Sequence, residues 1–129
     1  MYTLKPTEQA ERSARLMESN VLIAGLKFRA DNFKEFLDAI DKVETEEDII
    51  GLRLVKDLNN DYDPNAIKVM GYIEIIGNPS VVSTFHIGFL PKPIARKLKD
   101  DGVNAERLFA ALTKMSATPP KAHLDIYSA

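Results

Sequence analysis

The chain has no cysteine. That removes disulfide staples, a thiol nucleophile and thiolate zinc sites together, and it fits a reducing, cytoplasmic setting. Histidine is scarce too, with only His86 and His123 present. The patterns G-x-x-x-x-G-K-[ST], G-x-S-x-G, H-E-x-x-H and C-x-x-C are all missing, so the commonest phosphate-cradle, serine-hydrolase, zinc-protease and redox signatures do not occur. No apolar run approaches the roughly 20 residues that span a bilayer. The opening stretch "MYTLKPTEQAERSARLMESN" lacks the apolar centre of a secretory signal. The expectation is therefore a soluble, intracellular chain with no membrane partner, no cofactor and no catalytic machinery. A metal-dependent phosphoester hydrolase would have to rest on Asp61, Asp63 and His86, and a D-x-D turn with one imidazole is a weak pattern.

What is present is ordinary globular protein. The 129 residues are 45% hydrophobic and 28% charged, enough for one domain with a core that needs no staples. The net charge of −2 argues against strong nonspecific nucleic-acid binding, but it hides a segregation. Residues 31–63 hold eleven acidic and four basic side chains, while residues 92–129 hold seven basic and four acidic. Concentrating the acids in one stretch leaves room for a separate basic surface.

Periodicity divides the chain. Ala10, Ala14 and Met17 share a helical face, so residues 1–19 read as a helical arm and residues 20–129 as the domain proper. "VLIAGLKF" reads as a buried strand through Val21, Leu22 and Ile23, with Gly25 marking a bend or a close backbone approach. Phe33, Phe36, Leu37 and Ile40 fall at i, i+3, i+4 and i+7, the stripe of an amphipathic helix that Asp31 or Asn32 would cap. "ETEED" is a loop, and "IIGLRLVKDL" is a strand with Leu52 and Leu54 alternating against Arg53. "AIKVMGYIEIIG" and "VVSTFHIGFL" form a long hairpin around Gly77, Asn78 and Pro79. "PKPIARKLKDDG" is a second helix, with Pro93 in its first turn, Ile94, Ala95 and Leu98 buried, and Gly102 at its end. "AERLFAALTKMS" suits helix or strand equally, and "HLDIYS" closes the chain as a strand. The fold class is mainly β with helices (α+β), about six strands with two or three helices.

The motif that carries most information is "NNDYDPNAIKV", preceded by "GLKFR" and followed by "HIGFLPK". In this order the three segments resemble the HIRAN domain, a module of helicase-like chromatin remodellers and repair nucleases that also occurs as small standalone proteins. The resemblance spans roughly residues 20–128 and is most specific at Asn60, Tyr62, Asp63, Asn65, Ala66 and Ile67. It implies a modified OB-like six-stranded β-barrel with packed helices, and it tips "AERLFAALTKMS" toward a strand. It also implies a module that grips single-stranded DNA by its free 3′ end, in company with a separate helicase or nuclease. By position, Asp63 would accept the terminal hydroxyl and Tyr62 would line the pocket. Asn60 belongs to the same motif. Lys27, Phe28 and Arg29 would supply phosphate contacts and a stacking face, and Phe89 and Lys92 would flank the pocket.

The chemistry is coherent, since a carboxylate is acceptor-only and suits a hydroxyl donor. Departures from the family pattern are Asp61, where proline is common, the Phe28–Arg29 pair in place of tyrosines, and Phe89 where histidine occurs. Plainer roles stay open for each residue: Asp63 as a turn former, Phe28 and Phe89 as core, Lys27 and Lys92 as surface lysines. The rival function is a protein-interaction or regulatory module that kept the barrel and lost the DNA site. Lys27, Arg29, Lys92 and Arg96 gathering beside Tyr62 and Asp63 would favour DNA.

Overall fold

A computed structural model describes residues 15–43 and 48–128. In chain order the elements are β1 (Arg15–Leu22), α1 (Ala30–Asp41), β2 (Ile49–Lys56), β3 (Ile67–Ile75), β4 (Val81–Phe89), α2 (Lys92–Asp100), β5 (Leu108–Ala117) and β6 (Pro120–Ser128). Short 3-10 turns at Leu26–Arg29 and Ala105–Arg107 precede α1 and β5. All six strands join one antiparallel sheet in the order β1-β6-β5-β2-β3-β4. The expected strand count holds, and "AERLFAALTKMS" is extended because Leu108, Ala110 and Leu112 alternate into the core.

The sheet is not closed into a barrel. β1 and β4 are its edges, and among the described residues the chain just beyond β1 forms a single β-bridge to β4, Ala24 with Phe89, through N–H···O bonds of 2.8 and 3.0 Å. Two glycines explain why contact is made and why it goes no further. A Cβ on Gly88 would lie 2.5 Å from Ile23 Cγ2 and 2.6 Å from the Ala24 carbonyl, so only glycine admits the approach. Gly25 then takes φ 73°, the left-handed region, and diverts the chain into the Leu26–Arg29 turn before a ladder forms.

The helical arm is corrected where it is seen. Residues 1–14 lie outside the described residues, but Arg15 onward is strand, paired with β6 through Arg15–Ser128 and Leu16–Tyr127. The helical spacing of Ala10, Ala14 and Met17 is a weak local preference, and the backbone edge of β6 offers a full ladder instead. Two register shifts accommodate the strand, and Met17 still packs on the core. Leu22, expected in the core, is exposed, because alternation buries Val21 and Ile23 and turns the residue between them outward.

Both helices cover the same side of the sheet. α1 buries Phe33, Phe36 and Ile40 as its stripe requires. Phe36 lies on Gly71 of β3, where a Cβ would come within 2.7–2.8 Å of the ring, and it meets Phe85 of β4 at 5.7 Å between centroids. Burying each such ring contributes about 1.5–3 kcal/mol. The expected caps differ: no side chain caps α1, Asp31 sits in its first turn, and Asn32 instead donates Nδ2 to the His86 carbonyl at 3.0 Å. That bond ties the helix to the edge strand. α2 buries Ala95 and Leu98, ends with Gly102 at φ 73°, and reaches β1 through a Lys97–Glu18 ion pair. Among the described residues no helix is long and apolar enough to cross a membrane.

Candidate nucleic-acid interface

Between β2 and β3 the chain makes a turn held by its own side chains. Asn60 Oδ1 accepts the amides of Tyr62 and Asp63, both at 2.9 Å, and Asp63 Oδ1 accepts the amide of Asn65 at 2.9 Å. Backbone bonds from Asp57 N–H to the Ala66 carbonyl and from Ala66 N–H to the Asp63 carbonyl close its base. These are the Asx geometries that Asn and Asp form with amides two or three residues on. Asp63 therefore does serve as a turn former, but with one oxygen; Oδ2 has no partner among the described residues. Tyr62 projects outward, 94% exposed.

The second turn, Leu26–Arg29, is anchored by buried Leu26 and presents the next three side chains. Phe28 is 81% exposed, which rules out the core reading. Lys27 Nζ stands 5.0 Å from the Phe28 ring centroid, and these residues with Arg29, Asp31 and Asn32 line a depression of about 420 Å³. Arg29 also reaches Phe89, its guanidinium 5.6 Å from that ring's centroid.

Phe89 and His86 owe their meeting to a β-bulge. Val69 pairs with Gly88 but Met70 pairs with His86, so Ile87 is an extra residue in β4. Three positions apart on a regular strand, His86 and Phe89 would face opposite sides; the extra residue puts them on one side, edge to face at 4.9 Å. Half-buried Phe89 is thus neither core nor free surface. Burial, then the nearby Arg29 charge, hold the His86 imidazole below its usual value, against a hydrogen bond to the Gly88 carbonyl that pulls the other way. The ring is neutral at physiological pH.

Lys68 connects the two turns. It pairs in register with Phe89 and forms an ion pair with Asp57 at 3.9 Å; Asp57 in turn meets the Asn60 amide at 3.4 Å. The contacts run Arg29, Phe89, Lys68, Asp57, Asn60 and so to Tyr62 and Asp63. Lys68 and Asp57 were not expected. The signal was available in part, since Lys68 alternates outward between buried Ile67 and Val69. Lys92 is exposed at the start of α2 and no hydrogen bond or ion pair ties it to the other candidates among the described residues; Arg96 pairs instead with Asp100. Asp61, Asp63 and His86 do not form a metal-holding group, and no three His, Asp or Glu side chains among the described residues do.

The site thus sets the Tyr62 ring, the Arg29 and Lys68 cations and the Asp63 Oδ2 atom along a single line of contacts, with Lys27 and Phe28 beside Arg29 at one end. Such a set can stack bases, hold phosphates and accept a hydroxyl. Comparison with protein-family profiles, curated proteins and solved structures finds no match.

Proposed function

We propose that this chain is a noncatalytic nucleic-acid-binding module that takes a single strand by its free 3′ end and acts beside a separate repair or remodelling enzyme. The observation that carries the reading is the line of contacts from Arg29 through Phe89 and Lys68 to the Asn60–Asp63 turn. It supports one surface in place of scattered motif residues. The HIRAN resemblance supplies the ligand, and with it the finer expectation of an OB-like barrel, which the isolated Ala24–Phe89 bridge between the two edges supports. In this reading Asp63 keeps Oδ1 on the Asn65 amide and offers Oδ2 to the terminal hydroxyl, while Tyr62 and Phe28 stack on bases and Lys27 and Arg29 neutralise phosphates.

Fluorescence anisotropy with a labelled single strand tests it. A free 3′ hydroxyl should bind and a 3′ phosphate should not, because the added charge meets the Asp63 carboxylate. Equal binding of the two ends would remove the end-reading role.

A protein-interaction module is the second reading. It is favoured by a cluster of aliphatic side chains at one end of the sheet, Ile49, Ile75, Ile76, Val81 and Val82, each 41–58% exposed. Absence of strand binding under any condition would move the assignment there.

A further inference from the structure

One register row crosses the entire sheet on the side away from the helices. Leu16 of β1 lies opposite Tyr127 of β6, Tyr127 opposite Phe109 of β5, and Phe109 opposite Arg53 of β2. Arg53 in turn opposes Met70 of β3, and Met70 opposes His86 of β4. At about 4.8 Å per strand the row runs for roughly 24 Å.

None of its six side chains is buried, and none is a carboxylate. The Phe109 and Tyr127 rings are stacked, 5.6 Å apart at 12°. Arg53 lays its guanidinium 3.8 Å from the centroid of Tyr72, its diagonal neighbour. Both helices put their apolar faces on the other side of the sheet, through Phe36 on Gly71 and through Ala95 and Leu98 in the core. Among the described residues, no helix lies over the row.

Its position decides what it fits. The row ends at His86, whose ring touches Phe89, and Phe89 carries Arg29. It is therefore continuous with the candidate interface, and it approaches that interface beside Lys68, two residues from Met70 on the same face of β3. Rings and a guanidinium in line, with a thioether between them and no negative charge, suit stacked bases on a polyanion.

We propose that this row is the track along which a bound single strand runs 5′-ward from its 3′ end. The proposal rests on the end-binding reading above and adds the surface used by the rest of the strand. A 3′-terminal nucleotide at Asp63 leaves the preceding nucleotides to cross His86, Met70, Arg53, Phe109 and Tyr127 in turn. Arg53 is the one full cation on the row and the phosphate contact at its centre.

The test compares labelled oligothymidines of about four and about twelve nucleotides, each with a free 3′ hydroxyl, at low salt. Both lengths carry one 3′ end, so end recognition alone gives them equal affinity. The track gives the longer strand a gain of tenfold or more. Arg53→Glu should abolish that gain and leave the short strand unchanged. Phe109→Leu, which keeps apolar bulk under the strand and removes the ring, should reduce it, and it stands in for Arg53→Glu if that variant fails to fold. Equal affinity for the two lengths, or a length gain that survives both substitutions, overturns the track while leaving end binding in place. Binding of neither length by the unaltered protein overturns both, and assigns the row to a protein surface.

Discussion

In the turn that joins β2 to β3, Asn60 and Asp63 accept three backbone amides between them. The turn Leu26–Arg29 has no side-chain cap at its start and is set by Gly25 at φ 73° and by the burial of Leu26. The first turn carries the conspicuous motif, yet much of its polar equipment is engaged with its own backbone. The second reads plainly as "LKFR", yet its three outward side chains have no local bonding duty beyond ring contacts. Residues that stand out in a sequence are often those that shape the chain. Those that meet a ligand are left over once the shape is made.

Substitution should separate the two turns most sharply in stability. Asn60→Ala strands two amides and is expected to lower the unfolding free energy by about 1–2 kcal/mol, read from urea midpoints. Phe28→Ala in the other turn should change it by less than about 0.5 kcal/mol. Equal losses would erase the contrast. Asp63 divides the same way within one side chain. Asp63→Ala should cost about 1 kcal/mol through the lost Asn65 contact, whereas Asp63→Asn keeps an acceptor oxygen and should fold as the parent does. Both should weaken binding of a 3′ hydroxyl end, and Asp63→Asn binding as the parent does would confine the carboxylate to turn making. Lys27→Ala should leave the fold untouched and reduce the salt slope of strand binding by about 1; an unchanged slope would place Lys27 off the phosphate path.

The smallest effect concerns pH. His86 has a folded value below its unfolded value near 6.5, so the unfolded chain binds the extra proton first. Its contribution to stability is complete above that pH and fades as pH falls toward the depressed folded value. Arg29→Gln removes one cause of the depression and should flatten this dependence below about pH 6.5. A slope unchanged by that substitution would leave burial and the Lys68 charge as its sources.

Much of the architecture was legible because its period is local. The stripe of Phe33, Phe36 and Ile40, the alternation of Leu52 and Leu54, and the turn at Gly77–Pro79 each declare themselves within ten residues. β1 did not, since its partner β6 lies about a hundred residues away and its own spacing favoured a helix. "FHIGFL" gives no sign that Ile87 is surplus to the ladder, so the pairing of His86 with Phe89 was hidden. The Lys68–Asp57 link depends on the register of β2 against β3, which no single strand records. Tyr62, Asp63 and Phe28 could be named from the motif, but not which of them shapes the turn.

The lone Ala24–Phe89 pair has a thermodynamic use. Among the described residues two hydrogen bonds, each worth a net of about 0.5–1.5 kcal/mol, are all the ladder between the two rims of the sheet. Lys27, Phe28 and Arg29 stand on one side of that join, His86 and Phe89 on the other. A ligand touching both sides binds the joined form alone, and at a hundredfold excess over its Kd it deepens that state by about 2.7 kcal/mol. The amides of Ala24 and Phe89 are thus built-in gauges of occupancy: their exchange with solvent deuterium slows when the site fills, whatever fills it.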